Sequence, residues 1–136
     1  MRSLAQPQQH VVEYGLQRRA RLADYQAGLV AREEICDADR FLLLAAKFHG
    51  QASTTLCPVC AKERLTHVSW VFGDSLGPAS GSARGEHELA QLSLARGEFT
   101  VHVVEVCRGC SWNFLVRSYV TGVPKARAKG KRGASR

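Results

Sequence analysis

Two short runs carry the residues best equipped for chemistry: Cys57-Pro58-Val59-Cys60 and Cys107-Arg108-Gly109-Cys110. Thiols three positions apart can be aimed at one point by a tight backbone knuckle, and two such knuckles complete a tetrahedral four-sulfur site, for which Zn²⁺ is the first ion to consider. The same donor set leaves open a dithiol redox pair, an iron–sulfur cluster or no metal at all. A closed Zn(Cys)₄ site keeps no position for water. Its role would be structural, coupling metal binding to folding.

Forty-six residues separate Cys60 from Cys107, against about 15–20 in compact zinc ribbons, so an insertion must lie between the knuckles. Ala61 and Ser111 follow the knuckles where glycine would be convenient. Gly109, inside the second knuckle, is therefore expected to supply a positive φ. Lys62, Arg64 and Arg108 lie beside the sulfurs in sequence and can offset the charge of four thiolates. Cys36 is left over and reads as a small buried hydrophobe. Other ionisable groups are His49, His67, His87 and His102, with Asp37, Asp39, Asp74, Glu98 and Glu105. None forms a recognised catalytic spacing, so no enzyme is expected; His49 is a reserve candidate for a metal ligand.

The elements that must hold the knuckles can be read from periodicity. Residues 7–26, free of proline after Pro7 itself, form one helical pattern with Val12, Leu16, Ala20 and Ala23 at helical spacing, ended by Gly28. A helical turn over 30–36 follows, and Asp37 or Asp39 caps a helix over 41–48 that is apolar on most faces, which predicts burial on most faces. Residues 51–55 read as a polar linker. Residues 65–72, 99–106 and 112–120 are β-branched and aromatic enough for strands. Between the first two lie a glycine-rich stretch, 74–85, expected to be a flexible connection, and a helix over 86–96 with Leu89, Leu92 and Leu94 as candidates for burial. The expected fold class is α+β. An N-terminal helical segment (1–50) packs on a small three-stranded antiparallel zinc-ribbon-like sheet (51–122) with a loop-plus-helix insertion, and a disordered basic tail (123–136) follows.

The 136 residues carry a net charge of +7. Six of those cations, Lys125, Arg127, Lys129, Lys131, Arg132 and Arg136, lie after Pro124 without an acid among them. The body is nearly neutral, and the tail is the part suited to nucleic-acid phosphates. No signal peptide and no apolar run of about 20 residues is evident, which with five cysteines suggests a reducing cytoplasm and no membrane partner. Trp70, Trp112, Phe114 and Tyr119 read first as core and second as surfaces for base stacking.

Taken together, Ile35-Cys36-Asp37-Ala38, Ala45-Ala46-Lys47-Phe48-His49-Gly50, Val68-Ser69-Trp70-Val71-Phe72-Gly73-Asp74, Ser80-Gly81-Ser82-Ala83 and the run from Val101 through Cys107 to Trp112-Asn113 resemble a family of small actinobacterial proteins of unknown function. The resemblance spans roughly residues 8–122. It implies a bacterial intracellular setting and retains the four cysteines, but names no substrate. The expected function is a small structural-zinc binding module that docks on transcription or translation machinery (RNA polymerase or ribosome) or on RNA or DNA. A thiol redox or zinc-release sensor and a protein–protein adaptor without nucleic acid are the alternatives. Oligomeric state is left open.

Overall fold

A computed structural model describes residues 6–95 and 97–124. In chain order the elements are β1 (Gln9–Glu13), α1 (Gly15–Gln26), α2 (Arg32–Ile35), α3 (Arg40–His49), β2 (Gln51–Leu56), β3 (Arg64–Phe72), a 3-10 turn (Asp74–Ala79), β4 (Ser82–Arg84), α4 (Glu86–Ala95), β5 (Phe99–Val106) and β6 (Asn113–Thr121). The class is α+β with an antiparallel sheet, as expected.

The sheet has six strands, not three. Its order is β1-β6-β5-β3-β2, with β4 pairing to β3 as well. The three anticipated strands are its centre: β3 pairs β5 from Thr66↔Val106 to Phe72↔Thr100, and β5 pairs β6 from Phe99↔Thr121 to Val106↔Asn113. The other three are edge additions. β1 occupies residues assigned above to a helix, and Tyr14 continues its bonding by donating its N–H to the Val116 carbonyl at 3.0 Å. Val11 and Val12 favour an extended backbone, so the helix starts only at Gly15. β2 replaces the polar linker, Thr54 and Thr55 facing water on an edge while the half-buried Ser53 donates its hydroxyl to the Leu65 carbonyl at 2.8 Å. The glycine-rich stretch is ordered rather than a free connection: Leu76 within it is fully buried and Ala83 joins the core.

Side chains of β3 show why the sheet is the centre of the molecule. Leu65, Val68 and Val71 are all buried, because helices cover both faces. Leu65 packs with Leu22, Ile35, Trp112 and two cysteines; Val71 with Leu76, Phe99, Val101 and Tyr119; and Val68, on the opposite face, with Ala45, Ala46, Ala83 and Val106. The α3 helix starts on Asp39, whose side chain accepts the Leu42 N–H at 2.8 Å, a cap that satisfies one orphan donor. It ends at Gly50, where a Cβ would stand 2.3 Å from both the Ala46 carbonyl oxygen and Thr66 Cγ2. Only glycine lets α3 turn into β2 so tightly.

Expectations about burial fail in three helices. In α1 the buried side chain is Leu22, while Leu16 is exposed and Val12 lies on the exposed β1. In α3 the buried residues are Ala45 and Ala46, and Phe41, Leu44 and Phe48 face outward. A helix resting on a flat sheet buries one stripe, here made of small residues that permit close approach. In α4, Leu89 and Leu92 pack against the core but Leu94 is exposed.

Candidate metal centre

Each knuckle closes one β-hairpin. Leu56 ends β2, Cys57–Cys60 turns the chain, and β3 leaves at Arg64; Val106 ends β5, Cys107–Cys110 turns it, and β6 leaves at Asn113. Because β3 and β5 are antiparallel neighbours paired at Thr66↔Val106, both turns fall at one end of the sheet. That pairing, rather than proximity in sequence, brings 46 residues' worth of separation to nothing.

The two turns are built alike. Ala61 N–H donates to the Cys57 carbonyl at 3.0 Å and Ser111 N–H to the Cys107 carbonyl at 2.9 Å. The first sulfur of each also accepts a backbone N–H at 3.3 Å, from Val59 in one turn and from Cys110 in the other. The left-handed residues are Ala61 (φ 57°) and Ser111 (φ 74°), not Gly109 as expected. The chain takes the strained conformation directly after the second cysteine despite the Cβ. Gly109 answers a different need: a Cβ there would lie 2.7 Å from Glu63 Cγ, so it allows the knuckles to close on each other.

The four sulfurs of Cys57, Cys60, Cys107 and Cys110 lie within 4.8 Å of one another. The Cys57–Cys110 and Cys60–Cys107 Sγ pairs are each 3.7 Å apart. A tetrahedron with metal–sulfur bonds of about 2.3 Å has edges of about 3.8 Å, so the residues present fit a four-thiolate ion closely. All five cysteines are free thiols. Burial drives Cys57 up to about 12 and Cys110 up to about 11, while the Lys62 and Glu63 N–H groups bring Cys60 down to about 7. Peptide dipoles therefore favour the Cys60 thiolate, where the sequence suggested lysine and arginine. Lys62, Arg64 and Arg108 line an open groove beside the knuckles, together with Glu63.

Under the cysteines lies a buried polar link that the sequence did not reveal. Trp112, two residues after Cys110 and fully buried, donates Nε1–H to Glu105 Oε2 at 2.7 Å; Arg18 on α1 donates Nε–H to the same oxygen at 2.7 Å. Phe114 stacks on Trp112 at 5.9 Å between ring centres. Glu105 is thus a structural acceptor. Trp112 and Tyr119 are core residues as expected, Trp70 and Phe114 partly so.

Cys36 was also misjudged. It is half-buried, and its Sγ lies 3.7 Å from Cys110 Sγ, making it a fifth thiol at the edge of the cluster. Its place at the end of α2 was not readable without the packing of Ile35 beneath the knuckles.

The remaining candidates lie elsewhere. His49 and His67 line a polar cleft with Gln51, Arg84, Glu86 and Arg117, on the sheet face between the two apolar clusters. His49 approaches Glu88 at 4.0 Å and is not among the clustered ligands. The cleft's charges already answer one another: Arg84 faces Glu88 at 3.6 Å, Arg117 faces Glu13 at 3.5 Å, and Gln51 donates to Glu86 at 3.1 Å. His102 packs against Phe72, His87 is exposed, and Asp37 accepts from Asn113 at 2.9 Å. The basic residues Lys125, Arg127, Lys129, Lys131, Arg132 and Arg136 lie outside the described residues.

An antiparallel α+β protein whose paired cysteines converge on one tetrahedral point is, by class, a candidate metal-binding protein. The chain belongs to the Family of unknown function (DUF5318), which it matches over residues 5–135. Relatives include the uncharacterized proteins Mb0050 of Mycobacterium bovis and Rv0049 of Mycobacterium tuberculosis, each 54% identical over 123 residues covering 90% of this chain and 89% of the relative. The actinobacterial resemblance is therefore correct. No solved structure matches the chain. Among the described residues, no helix is long and apolar enough to cross a membrane.

Proposed function

We propose that this protein is a non-catalytic docking module held together by a structural zinc ion on Cys57, Cys60, Cys107 and Cys110. In this reading it binds transcription or translation machinery in the cytoplasm, and the tail cations add salt-sensitive attraction to RNA or DNA. The observation that carries the zinc is the match between the 3.7 Å sulfur spacings and a tetrahedral thiolate shell. Four protein sulfurs leave no coordination position for substrate, which favours scaffolding over catalysis. Five free cysteines suit a reducing compartment. Affinity purification with and without nuclease, with metal measured on the same sample, tests the reading. Expected are one zinc per chain and a nuclease-sensitive share of partners that falls when residues 124–136 are removed. Partners unchanged by nuclease would favour the adaptor; cobalt, iron or no metal would discard the zinc.

One observation favours a second reading, a thiol redox switch: Cys36 Sγ stands 3.7 Å from Cys110 Sγ. One peroxide could take two electrons from this pair. The first thiolate becomes a sulfenic acid as hydroxide leaves, and the second displaces another hydroxide to close a disulfide, costing the metal a ligand. Zinc retained in wild type and Cys36→Ser alike at mild peroxide would remove this reading.

A further inference from the structure

The outer face of α3 is an apolar stripe left without a cover among the described residues. Phe41 is 76% exposed, Phe48 66% and Leu44 41%. They stand at i, i+3 and i+7, one line of about 10 Å along the helix. Exposed large side chains scattered singly need no account, but three aligned on one helix face mark an interaction site. Cations run along one flank of the stripe, on the Leu44 side. Arg40, Lys47 and Arg108, with Leu43 and Leu44, line a shallow groove that contains no acid, and α3 itself carries none. Asp39 is taken up in capping α3 and Asp37 in holding Asn113, while Glu63 shares the neighbouring groove with Arg108.

We infer that this face docks an acidic amphipathic helix of a protein partner, its apolar residues against Phe41, Leu44 and Phe48 and its carboxylates against Arg40, Lys47 and Arg108. A second copy of the chain fits poorly. A twofold axis on α3 would bring Arg40 and Lys47 of one copy against the same cations of the other, with no acid to separate them. Single-stranded nucleic acid fits less well too. The central contact, Leu44, offers no stacking surface, and Lys47 Nζ already lies over the Phe48 ring at 5.2 Å from its centre. Aliphatic knobs between aromatics at helical spacing suit a helix in a groove. The inference deepens the docking reading and rests on it, but needs neither the tail nor nucleic acid.

The test uses the metal-loaded full chain, ¹⁵N-labelled, titrated with a synthetic amphipathic peptide of roughly 20 residues bearing leucine on one face and glutamate on the other. Expected are shifts confined to α3 and Arg108. Affinity should fall at least about tenfold for Phe41→Ser/Phe48→Ser, for Lys47→Glu, and for a peptide with lysine in place of glutamate. These residues are exposed, and unchanged metal content and circular dichroism confirm that the variants fold. No shift at millimolar peptide, or equal binding of the lysine peptide, overturns the proposal. Shifts at α3 with an RNA oligonucleotide but not with peptide, or with protein concentration alone, overturn it in favour of nucleic acid or self-association. Removing residues 124–136 separates the two ideas: peptide binding persists if α3 is the surface, even where nuclease-sensitive partners are lost or were never present.

Discussion

The link from Arg18 through Glu105 to Trp112 ties α1 to the second knuckle, and Arg18→Met is the perturbation that exposes its worth. Glu105 is 5% exposed and shares one carboxylate oxygen between two donors at 2.7 Å. Removing Arg18 leaves a buried charge with Trp112 Nε1–H as its remaining donor there. Breaking a fully buried pair costs about 3–5 kcal/mol. The Arg18 side chain is 24% exposed, so water screens part of the loss and about 2–3 kcal/mol is expected. Glu105→Gln keeps an acceptor for Trp112 while giving up the charge, at a cost of about 1–2 kcal/mol. With the charge gone, losing Arg18 matters less, so the double variant should fall short of the sum by about 1–2 kcal/mol. Urea unfolding of each variant at fixed free zinc reads these differences, since bound metal contributes to apparent stability. An Arg18→Met cost below about 0.5 kcal/mol, or strict additivity, would refute the argument that this carboxylate is held by its charge.

Other outcomes follow from the site. Cys57→Ser and Cys107→Ser, at buried positions, should abolish stoichiometric metal and the fixed near-ultraviolet signal of Trp112, because metal binding and folding are one equilibrium worth about 10–16 kcal/mol in zinc peptides; retention of one metal per chain by elemental measurement would contradict the ligand set. Burial keeps Cys57 near 12 and Cys110 near 11 without metal, so both thiols are protonated at neutral pH and must release protons on loading. Apparent zinc affinity should therefore rise with pH between pH 6 and 8, by at least roughly 100-fold per unit from these two protons, as read by chelator competition; a flat profile would count against it. Ala61→Gly and Ser111→Gly, which relieve positive φ at 57° and 74°, should each stabilise the loaded protein by up to about 1 kcal/mol in urea unfolding. Gly50→Ala should destabilise it by at least about 2 kcal/mol, given a Cβ 2.3 Å from two atoms.

The candidate site was legible because its signal is chemical and local. Four thiols in two identical spacings restrict the ligand set whatever the intervening fold, and strands flanking each pair forced both turns to one sheet end. The central strands were legible for the same kind of reason: residues of β3, β5 and β6 are β-branched, aromatic and partly alternating. β1 and β2 were not, since an edge strand with mostly exposed side chains is held by backbone bonds that leave no periodic trace; β4, three residues long with only Ala83 buried, is too short to show a period. In the knuckles, glycine content misled. The turn demands a left-handed residue after the second cysteine, and hydrogen bonds to the first cysteine's carbonyl hold Ala61 and Ser111 there.

The misreading of α3 has the most functional content. Apolar residues around most of a helix normally signal burial on most faces, and the sheet does bury Ala45 and Ala46. A sheet offers a helix only one plane of contact, so the larger residues opposite, Phe41, Leu44 and Phe48, cannot be satisfied by the same surface. Leu42 and Leu43 flank the buried stripe and complete what the fold itself requires. Cations at Arg40, Lys47 and Arg108 then flank the surplus on the Leu44 side. The surplus is therefore not core that failed to pack. It is hydrophobic area that the described residues leave uncovered, and the cations beside it give the sign of charge that the proposed partner should carry.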